Sequence, residues 1–198
     1  MSPSLTVSTP VLHLLAGSNG AGKSTLAQEI LIPRTHLAFV NADLIAERLW
    51  PGDRGEQARR AAKVSQLAAE ERARLMAQHI SFITETVFSH PNKLDLLRQA
   101  QLIGYTVSLH IVMVPEDLAV ERVADRVTYG GHTVPEDKIR ARYGRLWELL
   151  AQARHMADRA DFYDNSSLDE PFRRVATYEY GQPVGQPNWP DWAPCPLT

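Results

Sequence analysis

Cysteine is almost absent from this 198-residue sequence, because Cys195 is the only one. A single cysteine excludes a disulfide framework and a thiolate metal site. The sequence also lacks any apolar run close to the ~20 residues that a membrane-spanning helix needs, so we expect no membrane contact. It has no excess of positive charge either. The net charge of -2 argues against nucleic-acid binding over the whole surface.

A secretion signal is missing as well, because residues 1–10 have neither a charged start nor a long apolar stretch. We therefore expect a cytoplasmic protein whose residues 1–10, rich in Ser, Thr and Pro, form a flexible N-terminal arm. Apolar residues make up 44% of the chain and charged residues 22%, which is typical of one ordinary globular domain.

A phosphate-binding loop follows the apolar run at residues 11–16 and has the pattern G-x-x-x-x-G-K-S. Its glycines leave room for backbone N–H groups to converge on phosphate oxygens. Lys23 supplies a cation for the outer phosphates of ATP, and Ser24 supplies a hydroxyl for Mg²⁺. The residues predicted to bind ATP here are Gly17, Ser18, Asn19, Gly20, Ala21, Gly22, Lys23, Ser24 and Thr25.

Strand patterns alternate with helix patterns after this loop, which predicts an α/β fold with a parallel sheet between helices. The first helix is predicted to end before Pro33, and a long helix to cover residues 56–79. Predicted strands cover 37–40, 80–88, 105–114, 161–165 and 172–180, with 105–114 at the sheet centre and 172–180 at an edge. We expect one P-loop kinase domain at 11–180 and an extended, docking tail at 181–198.

Two of these strands bring polar residues to the edge where open α/β sheets bind ligands. Asn41 and Asp43 follow the strand at 37–40, while the strand at 80–88 carries Glu85 and Thr86 to the same edge. A carboxylate here can orient an acceptor hydroxyl and take its proton. Asn41 or Asp43 can instead cap the next helix, and Glu85 can instead pair with an arginine.

Arginines dominate the region predicted to form a lid, at about residues 116–145. Arg122 and Arg126 lie four residues apart on one helix face, and a Gly-Gly hinge separates them from Arg140 and Arg142. Such a lid closes on phosphates, although repeated arginines also suit a solvated helix face. No apolar strand ends in Asp-Glu and no L-S-G-G-Q-like segment occurs, which argues against an ABC-type ATPase. These features favour a small-molecule kinase.

The order of these blocks resembles the zeta-toxin family, most closely its short stand-alone members that are often described as predicted ATPases. The blocks are the phosphate loop, Asn41-Ala42-Asp43, Glu85-Thr86, Arg122 to Val127 with Gly130 to Pro135, and Tyr163-Asp164-Asn165-Ser166. The resemblance implies an ATP-dependent kinase that phosphorylates a UDP-amino sugar such as UDP-N-acetylglucosamine. It also implies that Asp43 is the general base, that Asn41, Glu85 and Thr86 contact the substrate, and that Arg122 and Arg126 stabilise the transferring phosphoryl group.

Better-known toxins carry a second lid arginine where this chain has Gly131-His132-Thr133, so His132, Arg140 or Arg142 would replace it. Asn165 either borders the adenine or caps a turn. Three hypotheses stay open: a UDP-sugar kinase that acts as the toxin of a toxin–antitoxin pair, a kinase of another small hydroxylated compound (an antibiotic or a metabolite), and a non-catalytic nucleotide-binding switch. The first adds a cognate antitoxin as a partner protein.

Overall fold

The computed structural model describes residues 9–128 and 134–198, without the side chains of residues 126–128. The described residues form a seven-stranded sheet in the order β2-β3-β1-β4-β5-β6-β7. Strands β1 to β5 are parallel, and β6 and β7 are antiparallel to their neighbours. The strands are β1 Val11–Ala16, β2 Ala38–Val40, β3 Phe82–Thr86, β4 Thr106–Met113, β5 Arg159–Asp164, β6 Arg173–Glu179 and β7 Gln182–Pro183. The predicted α/β fold is therefore confirmed, with β4 at the sheet centre.

Helices cover both faces of this sheet. A continuous helical run follows the phosphate loop and consists of α1 Lys23–Leu26, a π-helical turn Ala27–Leu31 and α2 Ile32–Thr35. The others are α3 Ala42–Leu49, α4 Arg54–Arg59, α5 Ala61–Ala77, α6 Asn92–Leu102, α7 Glu116–Thr128, α8 Glu136–Met156 and a 3-10 turn Cys195–Leu197. None of the described helices is both long and apolar enough to cross a membrane.

Strand alternation divides the apolar residues into two cores. Leu12 and Leu14 of β1 pack with β4, β5, α5, α6 and α8 on one face of the sheet. Leu15 packs on the other face, against the first helical run and α7. Successive side chains of a strand point to opposite faces, so one apolar strand supports both layers. The phosphate loop therefore follows directly after a strand that is packed on both of its faces.

Two predicted helix boundaries were wrong. The first helix continues through Pro33 to Thr35, because Pro33 lies in the first turn of α2, where the N–H it lacks is expendable. The π-helical turn before it moves the hydrogen bond of the Ile32 N–H to the carbonyl of Ala27. The helix predicted at 56–79 is two helices: Asp53 caps α4, and Arg60 leaves helical geometry before α5 begins.

The sheet edges also differ from the prediction. The strand predicted at 37–40 is the edge strand β2, where only Val40 is buried. The strand predicted as an edge, β6, is covered by β7, whose Pro183 suits an edge because it cannot donate a ladder hydrogen bond. Residues 184–198 then dock onto the main core. Trp189 packs edge-on against Phe162, and Leu197 is buried beside α8.

Candidate active site

The phosphate loop lies between β1 and α1 and passes close to two neighbouring segments. Gly17 has φ +147°, and a Cβ atom there would lie 2.3 Å from the carbonyl oxygen of Val112 in β4. Gly22 has φ +97°, and a Cβ atom there would lie 2.5 Å from Nδ2 of Asn165. Both positions therefore need glycine for packing as well as for backbone conformation. The loop shape is fixed by its protein neighbours.

The side chain of Lys23 hydrogen-bonds back to the phosphate loop. Its buried ammonium donates a hydrogen bond to the carbonyl of Ser18 at 2.8 Å, and the N–H of Ala21 donates to the same oxygen at 3.3 Å. The hydroxyl of Ser18 is buried and has no hydrogen-bond partner among the described residues. Of the predicted loop residues, Gly17, Ser18 and Ala21 are buried and do not line the cavity described below.

Sheet register brings Glu85 to the start of the loop. In the parallel pairing of β1 with β3, Leu15 lies opposite Glu85 and Ala16 opposite Thr86. The hydroxyl of Ser24 donates a hydrogen bond to Oε2 of Glu85 at 2.8 Å. The open alternative, an ion pair of Glu85 with an arginine, does not occur among the described residues. A carboxylate therefore lies directly beside the hydroxyl that the motif assigns to Mg²⁺.

Asn41, and not Asp43, caps α3. Its buried Oδ1 accepts a hydrogen bond from the N–H of Leu44 at 2.9 Å. Asp43 lies one residue into the helix, exposed on the cavity wall. The part of the chain that the structure describes gives its carboxylate no hydrogen bond or ion pair. The carboxylate of Asp43 can thus meet a ligand, while the side-chain oxygen of Asn41 accepts the hydrogen bond that caps the helix.

An open cavity of about 910 Å³ joins these groups. Asn41 and Asp43 enter it from the β2 end, Glu85 from the β3 end, and arginines from α7 and α8. The predicted site residues on its wall are Asn19, Gly20, Gly22, Lys23, Ser24, Thr25, Asn41, Asp43, Glu85, Thr86, Arg122, Arg142 and Asn165. The cavity therefore has room for a nucleotide together with part of an acceptor.

The lid arginines take different positions. Arg122 lines the cavity, and Nη1 of Arg142 lies 3.5 Å from Oδ1 of Asn19 in the phosphate loop. Arg140 lies outside the cavity, because Asp117 and Glu136 hold its guanidinium at 2.9 Å each. These carboxylates raise the pKa of Arg140 through hydrogen bonds. The structure thus does not bring Arg140 to the site, although substrate binding was predicted for it. The side chain of Arg126 and the whole of His132 lie outside the described residues.

Asn165 hydrogen-bonds to the phosphate loop and to two neighbouring segments. Its Nδ2 donates to the carbonyl of Ala21 at 2.9 Å, its N–H donates to the carbonyl of Met113, and its Oδ1 accepts from the N–H of Phe172. Neither open interpretation included these contacts: the side-chain amide links the phosphate loop to the β5–β6 loop, and the backbone N–H bonds the end of β4. Its side chain is nearly fully buried, yet it reaches the cavity wall.

Sequence reasoning missed part of the cavity wall. Leu168 and Phe172 of the β5–β6 loop line it, as do Ser65 of α5 and Lys93 of α6. Leu168 is 89% exposed, and an isolated apolar residue in a polar loop was the only sequence signal for it. Lys93 carried no such signal, because one lysine near a helix start is common on a protein surface.

Comparison with known proteins gives the same family as the motifs. Residues 2–172 match the family model described as Zeta toxin. A Haemophilus influenzae protein described as uncharacterized is 30% identical over 135 residues, which is 64% of this chain and 88% of that protein.

Two solved structures share the fold. The AvrRxo1-ORF1:ORF2 complex with ATP has a TM-score of 0.71 at 18% identity, covering 89% of this chain and 60% of that chain. The PezAT toxin–antitoxin system of Streptococcus pneumoniae has a TM-score of 0.63 at 15% identity, covering 89% and 75%. These similarities confirm the predicted fold. Since the family model covers most of the chain, the protein belongs to the zeta toxin family.

Proposed function

We propose that this protein is an ATP-dependent kinase that phosphorylates a sugar hydroxyl of a UDP-amino sugar, such as UDP-N-acetylglucosamine. The observation that carries this proposal is the position of Asp43. Asp43 lines the same cavity as Lys23 and Ser24, and its carboxylate is not used as a helix cap. A kinase needs such a carboxylate to orient the acceptor hydroxyl and take its proton. A nucleotide switch has no such need.

The donor half of the site is the phosphate loop. When ATP binds, the Lys23 ammonium exchanges the carbonyl of Ser18 for phosphate oxygens, and the loop N–H groups and the start of α1 face the same charge. Arg122 and Arg142 line the same cavity from helices that follow β4, and they neutralise the charge of the transferring phosphoryl group. Closure of the region at about 116–145 excludes water, so that the sugar and not water accepts the phosphoryl group.

The donors around Ser24 suit magnesium. Its hydroxyl is a hard oxygen ligand of the kind that Mg²⁺ prefers, and that hydroxyl donates a hydrogen bond to the carboxylate of Glu85. The described residues contain no cluster of three His, Cys, Asp or Glu side chains that could hold a metal alone, so the phosphates of ATP would complete its ligands. Mg²⁺ would neutralise charge on those phosphates. Ser24 would bind it directly, and Glu85 would orient its water ligands.

The biological role we propose is that of the toxin of a toxin–antitoxin pair, acting in the cytoplasm with a cognate antitoxin protein. Family membership supports this role, and the PezAT neighbour is a toxin–antitoxin system. The net charge of -2 supports a small-molecule substrate rather than a nucleic acid.

The test is a product assay with ATP, Mg²⁺ and a panel of UDP-sugars. We expect a phosphorylated UDP-amino sugar from the wild-type protein and at least a ~1000-fold lower rate from Asp43→Asn, with ATP affinity unchanged. Asp137→Asn is the matched control, because Asp137 is also an exposed acid in a first helical turn but does not line the cavity.

Two results would contradict the proposal. Near-wild-type transfer by Asp43→Asn would remove Asp43 as the base. Release of ADP with no sugar product would favour a switch, and transfer only to a different hydroxyl compound, such as an antibiotic, would favour the alternative kinase.

A further inference from the structure

The strand that leads to Asp43, β2, has few partners in the sheet. It is short, it lies at the edge, and β3 is its neighbour on one side only. Its last residue, Val40, is the only buried one of the strand. A short edge strand loses its order easily, because half of its backbone groups have no partner strand. The position of α3, which begins at Ala42, therefore depends on bonds at the end of β2.

Thr84 of β3 supplies one such bond. Its hydroxyl donates a hydrogen bond to the carbonyl of Val40 at 2.8 Å, and the two residues lie opposite each other in the pairing of β2 with β3. Thr84 is only 1% exposed, so water does not compete for this bond. The hydroxyl thus holds the last residue of β2 in place, just before the chain turns into α3.

The segment between this bond and Asp43 is short and fixed at its next residue. Asn41 follows Val40, is buried, and caps α3 through its bond to the N–H of Leu44. Asp43 then lies in the first turn of the helix. The bond from Thr84 and the cap at Asn41 therefore set together where the carboxylate of Asp43 enters the cavity.

Thr84 and Glu85 are neighbours in β3 but serve different parts of the site. Successive side chains of a strand point to opposite faces of the sheet. Thr84 bonds to the end of β2, whereas Glu85 accepts the hydrogen bond of Ser24 beside the phosphate loop. Loss of the Thr84 hydroxyl should thus disturb the part that carries Asp43. The ATP part should stay in place, because the pairing of β1 with β3 holds it.

We propose that Thr84 is a positioning residue for phosphoryl transfer, because its hydroxyl holds the end of β2 so that the carboxylate of Asp43 meets the acceptor hydroxyl. Thr84 itself does not line the cavity. A base must lie within hydrogen-bond reach of the proton that it takes, and a misplacement of about 1 Å can lower a rate about 100-fold. The inference rests on the proposed kinase function and adds a residue that acts through Asp43.

The experiment is the product assay on the full chain with saturating ATP and Mg²⁺ and with UDP-N-acetylglucosamine, or with whichever compound of the panel is phosphorylated. Thr84→Val removes the hydroxyl and keeps nearly the same shape. We expect its kcat to fall about 10- to 100-fold, with the KM for ATP within about threefold of wild type. Thr84→Ser keeps the hydroxyl and should keep kcat within about threefold of wild type.

Thr177→Val is the matched control. The hydroxyl of Thr177 in β6 donates to Oδ1 of Asp161 in the neighbouring β5 at 2.6 Å, and neither residue lines the cavity. This variant also loses a hydrogen bond between strands, so it should lower the urea midpoint and leave kcat unchanged. Urea unfolding of every variant, under the same conditions, shows that each is folded in the assay.

A double variant tests whether Thr84 acts through Asp43. In Asp43→Asn the base is already lost, so adding Thr84→Val should change the remaining rate by less than about threefold. If the two losses multiply instead, Thr84 acts on some other part of the reaction, and the positioning role is refuted.

The other outcomes separate this inference from the kinase proposal. If wild type forms product and Thr84→Val keeps its kcat, the positioning role is refuted and the kinase proposal stands. An equal loss of kcat in Thr84→Ser or in Thr177→Val also refutes the role, because the loss then comes from general destabilisation. If wild type phosphorylates no compound of the panel, the kinase proposal fails, and the positioning role fails with it.

Discussion

Gly22 and Asn165 meet across the phosphate loop, and substitutions at the two positions should be strongly coupled. Gly22 has φ +97°, a region that alanine enters at a cost. Its added Cβ atom would lie 2.5 Å from Nδ2 of Asn165. That amide is nearly fully buried and donates to the carbonyl of Ala21 at 2.9 Å. An alanine at Gly22 must therefore displace the Asn165 side chain and break its hydrogen bond to the phosphate loop.

Two separate costs can be assigned to these variants. In Gly22→Ala, positive φ costs about 1–2 kcal/mol, and displacement of the Asn165 amide leaves buried polar groups unpaired for about 1–3 kcal/mol. Asn165→Ala incurs only the second cost. The double variant incurs each cost once, so its free energy of unfolding should fall by about 2–5 kcal/mol. Simple addition of the losses of the two single variants gives about 3–8 kcal/mol. The coupling energy equals the shared cost, about 1–3 kcal/mol.

Urea unfolding of the wild type and the three variants at pH 7.5, without nucleotide, measures this cycle. Additivity within about 0.5 kcal/mol would refute the contact. The same data test the adenine interpretation of Asn165. A side chain that served only to border adenine would weaken ATP binding on substitution and leave the stability of the free protein unchanged.

Two further predictions concern His110 and the lid arginines. Burial, and then repulsion by His13, lowers the pKa of His110 to about 3, so below pH 6.5 the unfolded chain binds a proton that the folded chain does not. This group should remove about 2 kcal/mol of stability between pH 7.5 and pH 5. His110→Gln should flatten that slope in urea unfolding, and an unchanged slope would contradict the assignment. Arg142→Met should lower the transfer rate about 100-fold, while Arg140→Met should keep it within about threefold, because acids already hold that guanidinium outside the cavity. Equal losses in the product assay would refute the distinction.

The parts of the site that were predictable from sequence depend on local rules. The strand–loop–helix motif fixed the placement of Lys23 and Ser24 in advance. The apolar alternation at 80–88 indicated that Glu85 lies in a strand, and parallel strands bring their carboxyl ends to one edge. Nothing beyond pattern and strand direction was needed to bring these residues to one cavity.

The parts that were not predictable depend on packing between distant elements. Helix periodicity cannot tell which of Arg140 and Arg142 faces the phosphate loop. Asp117 on another helix binds Arg140, and Arg142 contacts Asn19 of the loop instead. Pro33 looks like a helix stop until the π-helical turn before it is known.

The sheet order places the acids and the arginines of the site on different sides of the phosphate loop. The acids Asp43 and Glu85 come from the ends of β2 and β3, on one side of the loop that follows β1. The cations Arg122 and Arg142 come from helices that follow β4, on the other side. Acids suit the hydroxyl that must lose a proton, and cations suit the phosphates that donate.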